Sequence, residues 1–247
     1  MLSDRIEAKW VDAFARVFEL CKVAPGESVA VLSESQSRAL NVELALLALG
    51  QLKASPFQIV VPTPAQKAPV PVRSTGASQC LNGQAAAVAG LKAASMVVDL
   101  TVEGLLHAPQ LPEILGGGAR VLMVSNEHPE ALERLVPDPA DEAVVKAAIK
   151  RCKAAQQMHV TSAAGTDLHI TLAGARNAGV WGWSDRPGML AHWPGGLVVN
   201  FPKAGSVNGR LVLDAGDINL TFKRYLQAPV ELTIEHDYIT DIRGQGA

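Results

Sequence analysis

"SMVVDLT", residues 95–101, is a short and nearly continuous apolar run. It stands between an Ala-rich segment, "LNGQAAAVAGLKAA", and a short helical stretch around Pro109 to Leu115. A strand without a polar face has to be covered on both sides, as happens inside a parallel sheet. Its neighbours repeat the pattern. Upstream, "SVAVLSES" (28–35) leads into "RALNVELALLALGQLK" (38–53), which has the length and periodicity of a helix, and then into "PFQIVVP" (56–62). Downstream comes "ARVLMVS" (119–125). Ile6, Trp10, Phe14 and Val17 recur at helical spacing, so an amphipathic helix opens the chain and ends near Lys22, before Pro25-Gly26. Strands alternating with helices predict an α/β domain over residues 1–157, an open and mostly parallel sheet flanked by helices, with a Pro-rich loop at 62–78.

After a long helix predicted over Asp141 to Gln157 the alternation stops. "MHVTSAAGTDLHITL" (158–172) reads as a hairpin, and "GGLVVNFP", "GRLVLDAGDI" and "VELTIEHDYITDIRG" follow as short strands broken by Gly, Asp and Asn. The expectation is a second, mainly antiparallel domain over residues 158–247 that looks incomplete, because no helix follows to cover its sheet. Strands left to cover predict a homo-oligomer.

Composition narrows the ligands. Lys plus Arg (22) and Asp plus Glu (24) nearly balance across 247 residues without blocks of like charge, which predicts no nucleic-acid and no membrane partner. Small molecules or other proteins remain. The N-terminus carries Asp4, Arg5, Glu7, Lys9 and Asp12 where a signal peptide would be apolar, and no run reaches the roughly 18 apolar residues of a membrane span. The cytoplasm is the expected location. Cys21, Cys80 and Cys152 are too few and too irregular for a disulfide framework or a structural zinc site, and are read as reduced, mostly buried thiols.

Motifs for chemistry are sparse. "GGG" at 116–118 precedes a strand, whereas a phosphate cradle needs glycines between a strand and the next helix, so a turn is expected. Six histidines occur, at 107, 128, 159, 169, 192 and 236, and no pair has the i, i+2 or i, i+4 spacing that aims two ligands of one element at a single point. "EHD" at 235–237 is read as a hairpin edge. His107, in "EGLLHAP", lies just past strand 95–101, where an open α/β sheet gathers its ligands. His192 and Trp193 precede the break Pro194-Gly195-Gly196, so an imidazole and a flat ring either face one cleft or pack a sheet corner.

Taken together, "HVTSAAGTDLHITL", "DRPGMLAHWPGGLVVNFP", "GSVNGRLVLDAGDINLTFKRY" and "ITDIRG" resemble the 2,5-dihydroxypyridine 5,6-dioxygenases of nicotinate and nicotine breakdown. That family is built on the scaffold of the aminopeptidase T-type metallo-aminopeptidases. The likeness continues upstream through "SVAVL", "AASMVVDLT" and "LLHAPQLPEIL". It implies an Fe(II)-dependent, extradiol-like dioxygenase that opens 2,5-dihydroxypyridine with O2 to N-formylmaleamate, the second domain being the first part of the catalytic domain. On the matching positions it implies His107 and His192 as catalytic residues for acid-base and positioning work, and Trp193 as a wall of the substrate site. It implies an Fe(II) cofactor whose ligands are expected in sequence beyond Ala247, so no metal ligand is assigned here. Two alternatives stand beside it: a metallo-aminopeptidase, against which Leu197 tells because it replaces the peptidases' liganding glutamate, and a non-catalytic relative that binds a small aromatic ligand or serves as an oligomer subunit.

Overall fold

The computed structural model describes residues 5–65, 77–219, 222 and 224–244. Most of the Pro-rich loop expected at 62–78 lies outside them. In chain order the first elements are α1 (Ala8–Leu20), β1 (Ser28–Glu34), α2 (Ala39–Gln51), β2 (Ser55–Val61), α3 (Ala85–Ala93), β3 (Met96–Asp99), α4 (Leu111–Gly116), β4 (Arg120–Val124) and α5 (Pro129–Leu132). There follow α6 (Asp141–Ala154), β5 (Gln157–Thr161), β6 (Asp167–Thr171), β7 (Arg176–Val180), β8 (Leu190–Trp193) and β9 (Leu197–Phe201). The last are β10 (Val207–Leu213), β11 (Ile218–Asn219), β12 (Arg224–Tyr225), β13 (Val230–Glu235) and β14 (Tyr238–Gly244).

The chain forms two compact units, residues 1–142 with 180–196, and residues 143–179 with 197–247. A single break near 157 is therefore not how the contacts fall. Residues 180–196 return to the first unit because β8 adds in parallel to β4, with Val121 opposite Leu190 and Met123 opposite His192.

The first unit is the expected α/β sheet, in the order β2-β1-β3-β4-β8 and parallel throughout. β3 and β4 are buried along their whole length, as the unbroken apolar runs require. Helix α1 turns Trp10, Phe14, Val17 and Phe18 inward, positions three and four apart that share one face. At the amino end of β4, buried Arg120 grips Glu27 through two nitrogens, at 2.6 and 3.0 Å, and donates Nε–H to the Cys21 carbonyl at 2.9 Å. The "GGG" stretch closes α4 before β4, with Gly118 at φ +94, as a turn should.

The second unit centres on an antiparallel sheet in the order β14-β13-β10-β6-β5. Its first hairpin, β5–β6, sets Gln157 opposite Thr171 and His159 opposite His169. Register sorts the side chains: His159, Asp167, His169, Asn208 and Arg210 share one face, while Met158, Val160, Leu168, Ile170, Leu211 and Leu232 share the other. "EHD" lies at a hairpin edge, as read. Glu235 ends β13, and His236 and Asp237, with φ of +50 and +75, form the two-residue turn into β14.

Candidate active site at the carboxyl edge of the parallel sheet

Parallel strands end together, and this sheet ends in polar groups: Glu34 on β1, Asp99 on β3 and His192 on β8. Leu32, Asp99, Met123 and His192 lie in one row across four strands and so point to the same face. His192 is half-buried. Its Nδ1 lies 2.7 Å from the Pro194 carbonyl oxygen. A carbonyl only accepts, so Nδ1 carries the hydrogen and Nε2 keeps its lone pair. Burial lowers the pKa of this imidazole, against the opposing pull of the Pro194 carbonyl. At neutral pH the edge therefore holds a neutral imidazole in a fixed tautomer, equipped to accept a proton or a ligand bond at Nε2.

Asp99 is fully buried, and its carboxylate organises the following loop. Oδ1 accepts the Thr101 N–H at 3.0 Å and the Thr101 hydroxyl at 2.7 Å, while Oδ2 accepts the Leu105 N–H at 2.7 Å. Glu34 Oε1 accepts the Val102 N–H at 2.7 Å. Desolvation pushes the Asp99 carboxyl up to about 6 despite these donors, and raises Glu34 as well. Gly104, at φ +79, lies directly on the Met123 side chain; an added Cβ would come within 1.9 Å of Met123 Cε. The loop after β3 is thus folded back over β4, toward the strand that carries His192. His107 rides on this loop, exposed, two residues past Leu105.

Of the three residues singled out from the sequence, the fold brings His107 and His192 to one edge of one sheet. Trp193 goes elsewhere. It is fully buried, its indole N–H donates to the Leu135 carbonyl at 2.8 Å, and Phe14 packs edge-on at 4.9 Å. As the neighbour of His192 on a strand it points to the opposite face. Its contribution is to hold β8 in place. The cysteines are free as expected, Cys21 and Cys80 buried with pKa values raised to about 12 and about 11, so neither offers a thiolate.

Sequence reading missed two groups. Asp99 and Glu34 are the anchors of the His107 loop, signalled only by a carboxylate at the end of an otherwise apolar strand. The other group is in the second unit: His159 Nε2 lies 2.6 Å and His169 Nε2 3.3 Å from Asp167 Oδ1, with the two imidazoles stacked at 4.3 Å. Spacing within one element could not find this set, because His159 and His169 meet across the hairpin.

Metal ligation divides the same way. At the carboxyl edge Asp99 has both oxygens occupied by donors, and Glu34 has only Oε1 occupied, its buried Oε2 accepting no hydrogen bond; among the described residues, however, His107, His192 and Glu34 do not form a convergent group of ligand atoms of the kind a two-histidine, one-carboxylate iron triad needs. His159, Asp167 and His169 have the right donor types, and their ligand atoms all lie within 4.8 Å of one another. All three are exposed, however, without the dry surroundings that oxygen chemistry on a bound ring needs. Among the described residues, neither place presents a dry and convergent two-histidine, one-carboxylate set.

An open α/β sheet in a chain that continues into an antiparallel unit is a scaffold also seen in AmpT from Thermus thermophilus. The two superpose with a TM-score of 0.60 at 15% identity over 95% of this chain and 71% of that one, a likeness of fold alone. The chain belongs to the 2,5-dihydroxypyridine 5,6-dioxygenase family, whose profile matches residues 9–247. It is 37% identical over 241 residues to the 2,5-dihydroxypyridine 5,6-dioxygenase of Pseudomonas putida, covering 96% of this chain and 67% of that relative. The solved structure of the Pseudomonas putida dioxygenase superposes with a TM-score of 0.87 at 35% identity, over 97% of this chain and 69% of the other. No helix among the described residues is long and apolar enough to cross a membrane.

Proposed function

We propose that this chain performs the reaction for which its family is named, the opening of 2,5-dihydroxypyridine between ring carbons 5 and 6 by O2 to give N-formylmaleamate, and that Fe(II) is the metal. The observation that carries the reading is His192: a half-buried, neutral imidazole whose Nδ1–H is committed to Pro194 and whose Nε2 is free, at the edge where α/β sheets bind ligands. A bound ferrous ion would supply open coordination positions for the ring and O2.

The chain's own part is proton handling and positioning. Nε2 of His192 accepts the proton of a ring hydroxyl as the substrate binds, and the imidazolium so formed keeps its Nδ1–H on the Pro194 carbonyl. Returning that proton as the ring opens leaves both atoms of O2 in the product and balances the reaction without another reductant. His107, on the loop tethered by Asp99 and Glu34, orients the ring.

Labelling tests the reading directly. With Fe(II), 2,5-dihydroxypyridine and oxygen-18 gas, the expected product is N-formylmaleamate carrying two labelled oxygens. A product with one label or none contradicts dioxygenation.

A further inference from the structure

The hairpin β5–β6 places two imidazoles and a carboxylate on the polar face of the second sheet. We propose that His159, Asp167 and His169 form a separate surface site for a divalent transition-metal ion of the zinc, nickel and copper class.

The donor types suit that class: imidazole nitrogen and carboxylate oxygen bind borderline ions well, and three protein ligands leave a fourth position open. Distances suit it too. Tetrahedral ligands at about 2.1 Å from an ion lie about 3.4 Å from one another, and here Asp167 Oδ1 is already 2.6 and 3.3 Å from the two Nε2 atoms. The stacked imidazoles, 12° from parallel, need only to swing about their side-chain bonds to converge. Their exposure, 53% for His159 and 66% for His169, leaves that rotation free, and the backbone register already fixes the pair. Without a cation the trio has little to hold it, since exposed histidine–carboxylate contacts contribute little.

Beside Asp167 and His169 opens a shallow cavity of about 480 Å³, lined also by Asn208, Arg210, Thr233 and Glu235. It provides room for the water or ligand at the open position. Arg210, whose Nε–H donates to the Gly165 carbonyl at 3.0 Å, adds a positive charge nearby that opposes cation binding. The site differs from a catalytic iron centre in its chemistry. An open, exposed set of this kind does not select ferrous iron, and by the usual order of divalent affinities it takes copper and zinc ahead of it.

Metal-free chain titrated with Zn2+ alone, in competition with a chromophoric chelator, tests the proposal. One equivalent is expected to bind, with affinity lowered at least tenfold by His159→Ala, by His169→Ala and by Asp167→Asn. His236→Ala, which removes an exposed histidine in the β13–β14 turn, should leave that affinity unchanged. Circular dichroism identifies any variant that has lost its fold, and the melting temperature of the native chain should rise with Zn2+ because the ion ties β5 to β6. Absence of zinc binding, or binding undiminished in the folded double variant His159→Ala/His169→Ala, would overturn the site. Oxygen uptake is expected to be the same in these variants as in the native chain, so the zinc site and the dioxygenase reading fail separately.

Discussion

Oδ2 of Asp99 accepts the backbone N–H of Leu105 at 2.7 Å, two residues before His107. A fully buried carboxylate at the end of a strand thereby fixes the start of the segment that carries an exposed imidazole. Together with Oδ1 on Thr101 it occupies three donors, each of which would be left unpaired in a dry place if the side chain were removed.

Asp99→Ala should therefore be destabilising. Three orphaned donors cost about 1–3 kcal/mol each, which outweighs the charge burial that the substitution relieves. Asp99→Asn keeps an oxygen for Thr101 and loses only the Leu105 contact. It should unfold at higher urea than Asp99→Ala, while the Leu105 amide exchanges at least tenfold faster than in the native chain. Equal stability of the two variants would remove the loop-anchoring role.

The same carboxyl gives a pH signature. Its folded value of about 6 lies above the ordinary 3.8. The native state thus holds the proton more tightly than the unfolded state between those limits, and stability falls as pH rises from about 4 to about 6. The difference corresponds to on the order of 3 kcal/mol. Glu34 is shifted in the same direction, whereas His192, lowered by burial, works oppositely below its ordinary 6.5. Subtracting the urea stability of Asp99→Asn from that of the native chain isolates Asp99. That difference should decline across pH 4 to 6 and be flat above about 7.

Trp193→Phe distinguishes packing from substrate contact. The indole N–H to Leu135 is lost within the core, at a cost of about 1 kcal/mol or more. The melting temperature should fall while KM for 2,5-dihydroxypyridine stays the same. A changed KM at unchanged stability would return Trp193 to the ring site.

His192 should show itself in the pH dependence of turnover. Because burial favours the neutral form, the acid limb of kcat/KM is expected below 6.5, and His192→Gln should abolish that limb. A limb that persists in the folded variant belongs to another group.

Much of this architecture was legible in the residues. The runs at 28–35, 95–101 and 119–125 could only be covered strands, and the hairpin at 158–172 followed from its turn residues. What escaped depended on pairing between distant segments. "LAHWP" reads as a corner, yet β8 is a strand of the first sheet because it finds β4, some 70 residues earlier by the matching of Met123 with His192. His159 and His169, ten residues apart, share no single-element spacing, and only the pairing of β5 with β6 brings them face to face. In "HWP" period two separates the neighbours: on strand β8, adjacent His192 and Trp193 have to part to opposite faces.

If Nε2 of His192 accepts the ring-hydroxyl proton, oxygen uptake has to depend on that imidazole. The chain reconstituted anaerobically with Fe(II), then mixed with 2,5-dihydroxypyridine and air-saturated buffer, should consume one O2 per ring lost. His192→Ala, folded by circular dichroism, should consume it about 10²–10⁴-fold more slowly. Uptake at the native rate in His192→Ala, or none in the native chain, would contradict the account.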